Sequence, residues 1–107
     1  MTFQIIAPDE LDHYIQDEES VIIDVREAAE YQRKHVKGAI NIPYEKWEND
    51  EESELLRNMI HKKKVILYCE RGPTSFAAAK ELAKKGIAAG AVVGGIRAYR
   101  GKMTERY

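Results

Sequence analysis

Residues 64–86, KVILYCERGPTSFAAAKELAKKG, decide how this chain is read. Val65, Ile66, Leu67 and Tyr68 form a short apolar run without polar alternation, the pattern of a parallel strand buried on both faces. Cys69, the only cysteine of the chain, follows at once and opens the loop Glu70, Arg71, Gly72, Pro73, Thr74. From Ser75 the period becomes helical. Ser75, Ala78, Ala79, Leu82 and Ala83 share one face, and Lys80, Lys84 and Lys85 turn away from it. Gly86 stands where a left-handed residue would end the helix. The stretch therefore predicts a strand, a tight loop and a helix start, with a lone thiol at the strand's carboxyl end.

That placement has chemical consequences. The first N–H groups of a helix have no intrahelical partners and carry the positive end of its dipole. A loop curling over them can aim several N–H groups at one anion. A cysteine facing such a nest is stabilised as thiolate. Arg71 adds a full positive charge with a fork suited to sulfonate, phosphate or carboxylate oxygens. Gly72 permits a positive φ or a close approach, and Pro73 stiffens the loop. Thr74 and Ser75 offer hydroxyl donors. A free cysteine is also often no more than a small buried hydrophobe, and on spacing and chemistry alone the two readings weigh about equally.

Working outward, the chain alternates strands and helices. Residues 2–6 read as a first strand, or residues 1–6 equally as a loosely attached end, and Pro8 followed by Asp9 and Glu10 starts a helix with Leu11, Tyr14 and Ile15 inward. Val21, Ile22 and Ile23 form a second strand with Asp24 at its end, before a helix over 27–33. Asp24 can accept loop N–H groups, pair with an arginine, or cap that helix. Arg26 can pair with a carboxylate or line the mouth of a pocket. Residues 39–42 make a third strand ended by Pro43. Residues 44–49 and 51–60 then read as helical, with Trp47, Leu55, Leu56, Met59 and Ile60 able to cover the sheet. A last core strand spans 89–93, and after Gly94 and Gly95 a helix is expected from Ile96 to about Lys102. Alternation of this kind predicts a parallel sheet with helices on both faces.

Bulk properties narrow the function. At 107 residues the whole chain, 1–107, is expected to be one domain. A hydrophobic fraction of 44% and charged fraction of 33% are ordinary for a globular protein. The formal net charge of -1 gives no support for nucleic-acid or membrane attraction. One cysteine excludes an internal disulfide and an internal Cys-x-x-Cys relay. No basic-plus-apolar leader or membrane-length apolar run is present, so a cytoplasmic location is the expectation. His13 and His61 have no evident partners, and no metal-ligand spacing occurs. His35 precedes a turn at Val36, Lys37 and Gly38, and hydrogen-bonding that turn is its expected task.

Residues 69–74, CERGPT, resemble the active-site loop Cys-x-x-Gly-x-Thr of rhodanese domains. Residues 21–27, VIIDVRE, with Glu30, Tyr31 and residues 35–43, HVKGAINIP, are similar to the family's amino-terminal signature. Residues 92–99, VVGGIRAY, are similar to its carboxy-terminal one. The three motifs stand in the family's order and cover nearly the whole chain. The resemblance implies a three-layer α/β/α fold with a five-stranded parallel sheet in the order 1-5-4-2-3, core strands counted along the chain. That order sets the Cys69 strand beside the Asp24 strand, with a crevice between their carboxyl ends.

The implied activity is sulfur transfer. Cys69 attacks the sulfane sulfur of a donor such as thiosulfate or a persulfide, becomes a persulfide, and yields the sulfur to cyanide or a cellular thiol. Glu70, Arg71, Gly72, Pro73, Thr74 and Ser75 would bind the substrate, and Asp24 and Arg26 would support the loop from behind. The implied partners are a small anionic donor and a thiol or protein acceptor, with no cofactor or metal, in a monomer. The alternatives are a sulfur carrier or docking module without turnover, and a phosphatase or arsenate reductase. The last group carries a longer loop ending in an arginine, whereas Arg71 lies inside a short one. Three positions depart from the family's usual residues: Lys34 for a glycine, Tyr99 for a tryptophan, and Glu70 where thiosulfate users often carry arginine. Facing inward, Glu70 would repel a thiolate and an anionic donor; facing outward or paired with Arg71, it would matter less.

Overall fold

The computed structural model describes residues 2–48, 57 and 64–106. Its strands are β1 (Gln4–Ile6), β2 (Ser20–Asp24), β3 (His35–Val36), β4 (Ile40–Asn41), β5 (Lys64–Tyr68), β6 (Ala89–Val92) and β7 (Thr104–Glu105). The helices are α1 (Leu11–Ile15), α2 (Ala28–Arg33), α3 (Pro73–Lys84) and α4 (Gly95–Ala98), with single 3-10 turns at Pro8–Glu10 and Tyr44–Lys46. Five strands form one parallel sheet in the order β1-β6-β5-β2-β4, which is the expected 1-5-4-2-3 when only its own strands are counted.

Register fixes which side chains meet. Val21 pairs with Val65, Ile23 with Leu67, and Asp24 with Tyr68. Successive residues of a strand point to opposite faces, so Val65, Leu67 and Cys69 join one core with Ile23, Val25, Ala78, Ala79 and Leu82. Ile66 and Tyr68 join the other, with Leu11, Tyr14, Tyr31, Ile96 and Tyr99. The helix α3 thus covers one face, and α1, α2 and α4 cover the other. The buried stripe of α3 is the expected one: Ser75, Ala78, Ala79, Leu82 and Ala83. Its alanines let the helix sit close to the strands, and burying Leu82 stabilises the layer by about 1.5–3 kcal/mol. Gly86, at φ 82°, ends it, with its N–H on Ala83 O and the N–H of Ile87 on Leu82 O.

Three sequence expectations are corrected. The final helix stops at Ala98, not near Lys102, because Tyr99 turns extended (φ -75°, ψ 122°). Its phenol donates to Asp12 and accepts the N–H of Met103, which steers the tail back along the domain. That tail forms β7, antiparallel to β3, a two-stranded sheet without a signal in the sequence. Over 44–48 there is one 3-10 turn, capped by Trp47, whose indole N–H donates to Ile42 O at 3.0 Å. Asp24 does not cap α2, where Glu27 holds that position. The helix read over 51–60, with Leu55, Leu56, Met59 and Ile60, lies outside the described residues except for Arg57. Lys34 meets no turn restriction, since its φ of -170° is ordinary extended backbone. His35, fully buried in β3, lies with its Nδ1 2.8 Å from Tyr31 O and stacks on the Tyr31 ring. No helix among the described residues is long and apolar enough to cross a membrane.

Candidate active site

Cys69 follows the last residue of β5 and is 5% exposed. The chain turns immediately because Gly72 adopts φ 127°, a conformation that an L side chain rarely takes. This turn brings the Gly72 N–H onto Cys69 Sγ at 3.0 Å. The carbonyl of Gly72 accepts both the Phe76 N–H at 3.0 Å and the Ser75 hydroxyl at 2.9 Å. Ser75 Oγ lies 3.7 Å from Cys69 Sγ. Pro73 then occupies the first helical position, where its missing N–H costs nothing. The sulfur therefore rests on a backbone donor at the mouth of α3.

A second element grips the loop from the other side. The N–H of Ile96 donates to Cys69 O at 2.9 Å, and the N–H of Arg97 to Glu70 O at 3.2 Å. These are the otherwise unpaired N–H groups at the start of α4. Gly95 makes the approach possible: a Cβ there would lie 2.5 Å from Cys69 O and from Glu70 C and O.

Behind the loop runs a chain of charges. The buried Asp24 carboxylate accepts the Arg26 N–H at 2.8 Å, Arg26 Nε at 3.1 Å, Arg26 Nη2 at 2.8 Å and the Tyr68 hydroxyl at 2.8 Å. Tyr68 in turn accepts the Val36 N–H at 3.0 Å. Arg26 extends Nη1 to Glu70 Oε1 at 3.1 Å, and Arg97 Nε donates to Glu70 Oε2 at 2.8 Å. Asn41 pins the turn at 24–26 by donating to the carbonyls of Asp24 and Arg26. Burial opposes the charge of Arg26, but the hydrogen bond and attraction of Asp24 outweigh it and raise its pKa above the ordinary arginine value. Burial and then the Asp24 charge push the Tyr68 phenol up, keeping it a neutral donor. The Arg97 hydrogen bond, against some desolvation and helped by Arg26, holds the Glu70 carboxyl below its usual range.

Glu70 thus neither opposes the sulfur freely nor pairs with Arg71; its partners are Arg97 and Arg26. The Arg71 side chain makes no ion pair among the described residues. A cleft of about 500 Å³ opens at Cys69, walled by Val25, Tyr44, Pro73 and Thr74. Its rim carries Arg26 and Arg71, but also Glu27, Glu30, Glu45 and Glu70. Among the described residues no group of three or more His, Cys, Asp or Glu side chains is placed to hold a metal ion.

All the expected site residues converge here: Cys69, its loop, and Asp24 with Arg26 behind it. Tyr68, Asn41, Gly95 and Arg97 escaped the sequence reading. A tyrosine closing a buried strand is itself a signal, because a buried hydroxyl requires a partner. The reach of Arg97 across to Glu70 spans 27 residues and leaves no local trace.

A family model described as the rhodanese-like domain matches residues 7–102, and the chain belongs to this family. It is 37% identical over 82 residues to a tRNA sulfurtransferase of Desulfurococcus amylolyticus, covering 77% of this chain and 15% of that protein. The chain spans between 15% and 54% of the length of the curated relatives it matches. A rhodanese-related protein from Thermoplasma volcanium has a TM-score of 0.77 at 26% identity, covering 91% of this chain and 90% of that one. A rhodanese-like domain protein from Staphylococcus aureus has a TM-score of 0.81 at 24% identity, covering 98% and 99%, a likeness of fold.

Proposed function

We propose that this protein is a sulfurtransferase that carries a sulfane sulfur as a persulfide on Cys69. The observation that carries the reading is the Gly72 N–H on Cys69 Sγ at 3.0 Å, at the floor of an open cleft. Membership in the rhodanese-like family and the sulfur-transfer name of the Desulfurococcus relative support the reaction class.

In the first half-reaction the Cys69 thiolate bonds to the outer sulfur of the donor. The donor's S–S bond breaks, and its electron pair departs with sulfite or a thiolate. In the second, an acceptor thiolate bonds to the terminal sulfur of the persulfide, and the electron pair of the broken S–S bond returns to Cys69. On the enzyme the negative charge begins and ends on the Cys69 sulfur, so fixed N–H donors there are the stabilising device required. Gly72 supplies one, Ser75 can redirect its hydroxyl to the sulfur 3.7 Å away, and Thr74 lines the cleft. Asp24 and Arg26 act through Glu70 to hold the loop in place.

The rim bears on the donor. Four carboxylates face two guanidiniums, and Arg26 is already engaged by Asp24 and Glu70. Free thiosulfate, a dianion, meets Arg71 as its one cation without an ion pair among the described residues. A thiol persulfide carries less charge at the reacting sulfur and suits this mouth better. Steady-state kinetics with a persulfide donor and a thiol acceptor test the proposal. Parallel lines in a double-reciprocal plot, abolished by Cys69→Ser, are expected. Stoichiometric loading without turnover would favour the carrier reading instead.

A further inference from the structure

Beside the Cys69 cleft lies a second one, of about 490 Å³, with the opposite charge. The two share a wall made of Arg26, Glu30, Glu70 and Arg71. The second cleft adds Arg33, Lys34 and Arg97, with Ile96 and Tyr99 as an apolar floor. Five cations thus face two carboxylates, and one of those, Glu70, is already bridged by Arg26 and Arg97. The Lys34 ammonium and the Arg71 guanidinium have no ion pair among the described residues, and Arg33 makes only a long contact of 3.4 Å with Ala29 O. Lys34, Glu70 and Tyr99, the three positions singled out in the sequence, all line this one cleft.

Resting on the sulfur-transfer reading, we propose that this basic cleft binds the anionic tail of the acceptor. The acceptor is then a small thiol bearing two carboxylates or a phosphate, larger than thiosulfate. Its sulfur enters the acid-rimmed cleft at Cys69, and its anionic groups lie across Arg71 toward Arg33 and Lys34. The two clefts divide the molecule by charge: the single charge of the thiolate enters beside Arg71 at the carboxylate rim, and the more heavily charged tail goes to the cations. Bond changes are those of the second half-reaction. The acceptor sulfur bonds to the outer persulfide sulfur, the inner S–S bond breaks, and its electrons return to Cys69.

Two measurements test this with mercaptosuccinate as the anionic thiol and 2-mercaptoethanol as the neutral one. The first is binding of mercaptosuccinate to the Cys69→Ser protein, which needs no persulfide and reads the cleft alone. Saturable binding is expected, with Kd raised about three- to tenfold by Arg33→Ala with Lys34→Ala, since each exposed charge contact contributes modestly. The effect should shrink as salt rises, because exposed charges are screened over about 8–10 Å at physiological ionic strength. Absence of binding, or binding indifferent to the double substitution, overturns the proposal. The second measurement is discharge of preloaded Cys69. The wild-type preference for mercaptosuccinate over 2-mercaptoethanol is expected to fall about three- to tenfold in the double variant. An unaltered preference overturns the cleft's role, whereas failure of Cys69 to load at all, with binding intact, contradicts the sulfur-transfer reading and leaves the anion site standing.

Discussion

Replacing Gly95 by alanine tests how the active-site loop is held. In the native chain α4 presses its first turn against the carbonyls of Cys69 and Glu70, and the missing Cβ is what allows it. An alanine Cβ would meet three backbone atoms of the loop at 2.5 Å, and the residue sits at φ 64°. The left-handed conformation costs about 1–2 kcal/mol for an L residue, and overpacking against immobile backbone adds about 1–3 kcal/mol. A total of about 3 kcal/mol is expected. Gly38 supplies the control: it has a similar φ of 80°, with nothing within 4 Å of the added Cβ. Gly38→Ala should therefore cost only the conformational part, about 1–2 kcal/mol. Urea unfolding followed by the fluorescence of Trp47, the single tryptophan and a buried one, reads both variants. In thermal melts the gap between them should be about 4–16 °C, at about 4–8 °C per kcal/mol for a domain near this size. Equal losses in the two variants would mean that α4 does not clamp the loop, and the account of how Cys69 is positioned would have to change.

Tyr68→Phe should cost about 1–3 kcal/mol in urea unfolding, because it leaves a buried Val36 N–H without an acceptor and takes a donor from Asp24; a loss below 0.5 kcal/mol, within about the smallest value expected for one net hydrogen bond, would remove Tyr68 from the network. Glu70→Gln should destabilise by less than about 1 kcal/mol, since the carboxylate is partly exposed and its pairs are screened. The Glu70 carboxyl is depressed in the fold, so its contribution is present above the ordinary carboxylate range and is lost as pH falls through the lowered value. The gap between wild type and Glu70→Gln should accordingly be constant from pH 7 to about pH 5 and close only in stronger acid; a gap that closes near neutrality would contradict the clamp by Arg97. Arg71→Ala should raise the KM for thiosulfate about tenfold while changing kcat less, the signature of a lost charge-assisted contact outside the chemical step. An equal loss with an uncharged persulfide donor would make Arg71 a support of the loop instead.

Local patterns carried most of this architecture. The run 65–68, the stripe of Ser75, Ala78, Ala79, Leu82 and Ala83, and the stop at Gly86 are short-range signals, and each reappears in the fold. Strand order came only with the family resemblance, because parallel strands joined by crossovers leave no spacing that fixes their neighbours. The pairing of β3 with β7 and the early end of α4 were not legible. Both depend on the Tyr99 phenol finding Asp12, 87 residues away in sequence. The site divides in the same way. Cys69 and its loop are contiguous and could be read directly, whereas the direction of Glu70 is set by Arg26 and Arg97, which come from distant turns. A sequence reading could see that Glu70 needed a partner, and Arg71 was merely the nearest candidate.

The central claim is that the fold makes Cys69 a sulfur-accepting nucleophile. Intact mass spectrometry after brief exposure to a low-molecular-weight persulfide measures this directly, with the urea-unfolded chain as internal reference for the same thiol. The native protein should gain one sulfur, about 32 Da as expected for a persulfide on the nucleophile, faster than the unfolded chain, and should lose it on addition of a thiol acceptor. Loading no faster in the native protein than in the unfolded one, or an adduct that a thiol acceptor cannot discharge, would contradict the account.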